Sequence, residues 1–268
     1  MIITPFAYMA EIGPTPANIY IDAVLAAGGT LSGAQETAIQ TFYSSLDTAG
    51  IYSKMYAMYP FLGGVAASNA IEFVNPGGGF DLTFTGTWTH NNLSGSTCTP
   101  SVANYANTSF NPTTDAVSVT TDFSFGLMVV GGAGQGYHGL GTSPAANNYI
   151  IVGTFGQVDM YFGQGTGNFA GNPAGFTIAA FEAVSRTLSN SWYGAYTNSG
   201  PLTTVSKTNA YTTYNGDIHL GRVNGLGSFA GGGQLRFGFI GKGLNTTEME
   251  DLADYANTLQ TAFSRNIW

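Results

Sequence analysis

Positive charge is scarce in this chain. Its 268 residues include only 7 Lys and Arg against 15 Asp and Glu, a net charge of −8. Charged residues total 8%, against about 25% in an ordinary globular domain. Lys54 is the only base before Arg186, so residues 55–185 carry no Lys or Arg. Nucleic-acid binding needs several cations set against phosphates, and anionic membranes attract basic patches. Neither is expected as a partner. Cys98 is the single cysteine, which excludes an internal disulfide and a thiolate metal cluster. It reads as a small packed side chain. Long apolar runs are also missing, for none approaches the roughly 18 residues of a spanning helix. The N-terminus has no basic region of the secretory type, and Glu11 follows instead. The expectation is a soluble protein made in a cytosol, which reaches any other setting, such as a particle, by another route.

What is abundant points to strands. Hydrophobic residues make up 44% and aromatics 13%, too much for general disorder. Glycine, at 38 residues, is roughly twice its usual share of about 7%. With many Thr, Ser and Asn, this mix suits strands and turns better than helices. The length allows one large domain or two small ones.

Along the chain, residues 1–14 read as an apolar arm. Ile2, Ile3, Phe6, Tyr8 and Met9 fall there with one charge, Glu11, and a surface so apolar calls for a docking partner. Residues 15–60 read as a helical lead. Thr15 can cap a helix with Pro16 in its first turn, and Gly28-Gly29 stops it. Ser32 opens a second helix, whose apolar positions Leu31, Ala34, Ala38, Ile39, Phe42 and Leu46 form one stripe, ended by Gly50. Ile51, Met55, Met58 and Tyr59 make a third short stripe, closed by Pro60. From 61 to 245 the period changes to 2, at Leu82–Thr85, Val117–Phe125, Val158–Phe162 and Leu235–Phe239. Turn clusters such as Asn75–Gly79 and Asn215-Gly216 lie between them. The expected class is mainly β, an antiparallel sandwich or barrel. Residues 246–268 return to helix, with Met249, Leu252, Tyr255, Ala256, Leu259 and Phe263 in a stripe. Asn245 or Thr246 is the cap, and Glu248, Glu250 and Asp251 lie in the first turns.

Chemical motifs are few. Gly134, Gly136 and Gly139 match G-x-G-x-x-G, with Asp159 twenty residues on, but Leu140–Pro144 offers no helix to face a pyrophosphate. Glycoside hydrolysis needs two carboxyls flanking the bond. The close acids, Glu248, Glu250, Asp251 and Asp254, read as a solvated helix start, while Glu72, Asp81 and Glu182 could meet only through the fold. His90, His138 and His219 lack ligand spacing, and no G-x-S-x-G elbow exists. Asp122, Asp159 or Asp217 could join carbonyls around a calcium ion, although no D-x-D-x-D-G loop is present. No catalytic, cofactor or metal residue is assigned, and no enzyme activity is expected. Trp88, Trp192, Tyr193 and Tyr196 are the candidates for stacking on sugar rings, with core packing as their competing role.

Four segments, Ile51–Gly64, Asn104–Pro112, Val184–Thr187 and Phe237–Leu244, together resemble a family of virion structural proteins of crAss-like tailed phages. The resemblance spans roughly residues 15–268. It implies a short helical lead, a concanavalin A-like (laminin G-like, jelly-roll) sandwich and a closing helix. The implied role is a head or tail fibre or capsid-surface component in the virion, usually a homo-oligomer, with other virion proteins as partners. The alternative is a carbohydrate-binding receptor-recognition module for host-surface glycans, and a glycan hydrolase is the weakest candidate. The resemblance carries no catalytic residues.

Overall fold

A computed structural model describes residues 13–130, 136–140, 149–154, 158–163, 179–188, 191–196, 203–207, 214–226 and 230–266. Helices α1 (Pro16–Ala26) and α2 (Gly33–Thr48) come first, then a 3-10 turn at Tyr52–Lys54 and strand β1 (Met55–Tyr59). The short α3 (Ala66–Ala70) leads to β2 (Thr83–Thr85), β3 (Trp88–Asn91), β4 (Gly95–Cys98) and β5 (Tyr105–Asn107). Next come α4 (Pro112–Asp115), β6 (Phe123–Val130), β7 (Gly136–Leu140), β8 (Tyr149–Thr154) and β9 (Val158–Gly163). They are followed by β10 (Ala179–Leu188), β11 (Ser191–Tyr196), β12 (Thr203–Lys207), β13 (His219–Leu220) and β14 (Val223–Asn224). Strand β15 (Gly233–Gly241) and helix α5 (Thr246–Thr261) complete the order.

The strands form two sheets packed as a sandwich, antiparallel except for the β14–β7 pair. The first sheet runs β12-β11-β10-β6-β15-β4-β3, with β1 also on β15; the second runs β2-β5-β13-β7-β8-β9, with β14 on β7. One side of β15 is shared, β4 taking Gly233–Leu235 and β1 taking Gly238–Gly241.

The first sheet is covered on both faces. Phe123, Phe125, Leu127, Val184 and Ile240 pack toward the second sheet, against Ala106, Phe110, Leu140, Ile150, Val152 and Leu220. Met128, Phe181, Ala183, Phe237 and Phe239 face the other way, against Val24, Ile39 and Phe42 of the lead and Leu252 and Leu259 of α5. The architecture is three layers, helix on sheet on sheet. Caps set the helix starts. Thr15 accepts from the Asn18 N–H. Ser32 with Gln35, and Asn245 with Glu248, each form a reciprocal capping box.

Three readings of the sequence change. The stripe at Ile51–Tyr59 is not a third helix, because Met55–Tyr59 is a strand paired to β15. The lead therefore contributes a strand to the sandwich itself. The alternation at Val117–Phe125 is not one strand; it begins at Phe123, and Val117 is 76% exposed. Leu235, Phe237 and Phe239 do not share a face. A bulge between Leu235 and Phe237 turns Leu235 toward the second sheet and both Phe rings toward the helices.

The closing turn is tied to the same layer. Arg265, buried, donates from its two terminal nitrogens to the carbonyls of Phe61 and Pro60, each at 3.1 Å. Lys54 pairs with Glu248 at 2.6 Å, joining the lead to the start of α5.

Candidate functional site

The sandwich sets Trp88 apart from the other three candidate stacking aromatics. Trp88 is on β3, the edge of the first sheet, and Trp192, Tyr193 and Tyr196 are on β11, five strand steps away. At about 4.8 Å per step, that is about 24 Å, too far for one sugar platform. The side chains on β11 lie outside the described residues. Trp88 is half-buried, with ring centroids 5.0 Å from Phe84 and 6.4 Å from His90, and His90 lies 4.6 Å from Phe84. Its indole N–H donates to the Thr85 carbonyl at 3.0 Å. The trio packs against the inter-sheet core and closes the sandwich where edge strands β2 and β3 meet. Behind it, His90 Nδ1 lies 3.0 Å from the Ser96 hydroxyl and 3.3 Å from Asn69 Nδ2. Ser96 and Asn69 are both fully buried, so this Ser–His pair cannot reach a substrate.

The acids are structural in their contacts. Glu72 and Asp81 do meet. The Glu72 carboxylate, fully buried, accepts the N–H groups of Val74 and Asn75, and Asp81 accepts those of Glu72 at 2.8 Å and Gly77 at 3.2 Å. Burial pushes the Glu72 carboxyl up to about 7. Both carboxyls are spent on one loop, and Glu182 sits elsewhere, on β10 in register with Leu127. Of the calcium candidates, Asp122 accepts the Gly243 N–H at 2.7 Å and Asp217 accepts from Asn107 Nδ2 at 3.0 Å, while the Asp159 side chain lies outside the described residues. No group of three or more His, Cys, Asp or Glu suited to a metal occurs among the described residues.

The glycine motif has its outcome in β7. Gly136–Leu140 is strand, paired to β8, so the residues that would have to open a helix behind a pyrophosphate are extended. Cys98 is buried and its thiol is pushed up to about 12 by burial, which makes it inert. The arm residues Ile2, Ile3, Phe6, Tyr8 and Met9 lie outside the described residues. No described helix is long and apolar enough to cross a membrane.

Among the described residues, two surfaces stand out. Between α2 and α5 runs a groove of about 560 Å³, lined by small residues such as Ala34, Ala38 and Thr41 with Phe42, Tyr255 and Leu259. It is the outward side of the helix layer. The other surface lies on the outer face of the second sheet, where Tyr105 and His219 alternate with the inward Ala106 and Leu220. Tyr105 and His219 stack at 4.6 Å and 13°. The Arg222 guanidinium carbon lies 3.5 Å from the Tyr105 centroid. Its Nε donates to His219 Nδ1 at 2.9 Å and its Nη1 to the Val102 carbonyl at 3.0 Å. Burial, and then the Arg222 charge, push the His219 imidazole down to about 4, so it is neutral at pH 7 and can accept. Beside Arg222 is a hollow of about 260 Å³, walled by Val102, Val223, Asn224, Gly225 and Leu226. Sequence reasoning missed this group. Its members come from positions 105, 219 and 222, and the one local hint is a lone Arg in a base-poor chain.

No protein-family model matches the chain, and no curated protein matches it. Among solved structures, a mutant GH54 α-L-arabinofuranosidase soaked with 4-nitrophenyl α-L-arabinofuranoside is similar over 68% of this chain, at 17% identity and a TM-score of 0.40. An arabinofuranosidase complexed with arabinofuranosyl-α-1,2-xylobiose is similar over 68%, at 16% identity and a TM-score of 0.41. The match spans 40% of the length of each of those chains. No residue role passes across at that similarity.

Proposed function

We propose that this chain is a virion structural protein, a fibre or capsid-surface component whose helix layer meets its neighbours and whose sandwich faces outward. The observation that carries the reading is the open apolar groove between α2 and α5, in a chain whose first residues include Ile2, Ile3, Phe6, Tyr8 and Met9 with one charge, Glu11. The other face of the same helix layer is already buried on the first sheet. The arm of one copy, seated in the groove of the next, would bury several large side chains at about 1.5–3 kcal/mol each before ordering costs. The family resemblance supports the same role. Its four segments converge on the framework: β1 pairs β15, the Tyr56 and Phe110 ring centroids lie 5.3 Å apart, and Ser185 Oγ donates to the Leu244 carbonyl and accepts the Leu244 N–H. They build scaffold rather than a reactive centre.

The test has two parts. An antibody to the recombinant chain should label purified phage particles, and the chain should occur there in stoichiometric amount. Its absence from purified particles overturns the role. Deletion of residues 2–13, and separately Ala38→Trp to fill the groove, should each reduce the oligomer to monomer with an unchanged far-UV spectrum. An unchanged oligomer in both overturns the assembly surfaces.

A second reading, recognition of a host glycan by the sandwich, is favoured by the Tyr105–His219–Arg222 surface. It predicts binding to a glycan array and no release of reducing sugar.

A further inference from the structure

The Arg222 guanidinium has an unusual combination of properties. It is fixed in orientation by the Tyr105 ring and by two hydrogen bonds, to His219 Nδ1 and the Val102 carbonyl. Two of its five N–H groups are engaged in this way, which leaves three free to donate. No carboxylate of the described residues pairs with it. It is half-exposed and borders the 260 Å³ hollow.

We propose that this hollow binds the carboxylate of an acidic sugar unit, with Arg222 as its fork. The inference deepens the glycan-recognition reading and rests on it. A planar guanidinium presents parallel donors that match a carboxylate bidentately. Because the protein already holds that plane, little side-chain freedom is lost on binding. Neutral His219 completes the arrangement from behind. It accepts the Nε proton and so directs the remaining donors away from itself and toward solvent. The hollow is slightly below the usual range of about 300–1,000 Å³ for drug-sized ligands, which suits a single ring. Val102 and Leu226 offer apolar wall for the C–H face of that ring, and Asn224, whose Nδ2 is held by the Asp217 carbonyl at 2.8 Å, has its Oδ1 left for a hydroxyl. The chain's net charge of −8 opposes an anion at long range, so affinity for one unit is weak and the bidentate contact supplies the selectivity.

The experiment is an NMR titration of the full chain with glucuronate, with glucose and inorganic phosphate as controls, followed by the Val223–Leu226 amides. Saturable shifts with glucuronate, and none with glucose, are expected. Arg222→Gln and Arg222→Lys should each weaken glucuronate binding at least about tenfold, the scale of a charge-assisted hydrogen bond lost; Lys keeps the charge but not the fork. Should Arg222→Gln fail to fold, Leu226→Trp decides, since it fills the hollow without touching Arg222 and should abolish the shifts. Phosphate binding as tightly as glucuronate would mark a general anion site and overturn the proposal. Equal binding of glucose, unchanged binding in Arg222→Lys, or no binding of glucuronate, galacturonate or N-acetylneuraminate would each overturn it as well. Glycan binding mapped elsewhere on the sandwich overturns only the hollow, whereas no glycan binding on an array removes the recognition reading with it.

Discussion

Asp81 accepts the backbone N–H of Glu72 at 2.8 Å, while the carboxylate of Glu72 turns back onto the N–H groups of Val74 and Asn75. Two acids thus fold one loop around themselves, and one of them is fully buried. Burial outweighs the favourable N–H contacts and lifts the Glu72 carboxyl from 4.5 to about 7. The folded state therefore holds a proton that the unfolded chain releases at lower pH.

That sets a pH dependence with a definite sign. Below 4.5 both states are protonated and the contribution of Glu72 is fully present. It is lost as pH rises from 4.5 through about 7, by on the order of 3 kcal/mol. Asp81 is raised as well, also by burial, and adds in the same direction. Glu72→Gln cannot ionise. The stability difference between variant and wild type, from urea melts at pH 4.5 and pH 8, should move toward the variant by about that amount. A difference independent of pH would mean that Glu72 titrates normally.

The histidines act oppositely. His138 is buried, its Nδ1 accepts the Gly221 N–H at 2.8 Å, and burial pushes it down to about 3. A group with a lowered folded pKa contributes stability above its unfolded value of 6.5, and loses it as pH falls toward 3. The full effect is up to about 5 kcal/mol. Between 4.5 and 6.5 the terms from His138 and Glu72 oppose each other; below 4.5 the Glu72 term is complete, Asp81 alone of the two acids still opposes, and the histidine side still grows. The melting temperature should fall steeply under pH 4.5, and His138→Gln, which keeps an acceptor, should flatten that acid limb. An acid limb as steep as in the wild type would place the acid sensitivity elsewhere.

Much of the helix layer was legible in the sequence because its signals are local. Thr15, Ser32 with Gln35 and Asn245 with Glu248 mark helix starts within three residues of themselves. Strand β1 was not, and the cause is a bulge. Its register shifts between Met55 and Ala57, which puts Met55 and Met58 on the helix-facing side while Ala57 and Tyr59 face the second sheet. A spacing of three with apolar residues on both faces imitates a short helix. The same device hides the split in β15. The Tyr105–His219–Arg222 group was invisible for another reason, since only the β5–β13 pairing, with His219 opposite Asn107, brings the Tyr105 ring onto that of His219.

Burial in α5 separates two leucines. Leu252 is fully buried between helix and sheet, whereas Leu259, also buried, borders the open groove. Truncation of a buried Leu costs roughly 2–5 kcal/mol, more where the site cannot relax. Leu252→Ala should fall toward the upper end, and Leu259→Ala toward the lower, because water can enter from the groove. Equal losses in denaturant melts would show that the groove closes over Leu259 in solution.

Gly126 leaves no room for a side chain between the first sheet and the helices. It lies in register with Phe239 on one side and Ala183 on the other. A Cβ there would stand 2.4 Å from the Phe239 ring and 2.7 Å from the Ala183 methyl. The ring cannot simply swing away, for it is stacked on Phe181 at 5.9 Å and 8°, under the helices. Gly126→Ala should therefore act by overpacking and cost about 1–3 kcal/mol, although a strand position would ordinarily gain from losing glycine's freedom. The coupling is open to measurement. Phe239→Leu removes the ring edge that the new methyl meets, so the double variant should lose less than the two single losses added together, by about 0.5 kcal/mol or more. Strict additivity would mean that the strain falls on the β10 side, against Ala183 and the Glu182 carbonyl, and that β10 rather than β15 yields to the new methyl.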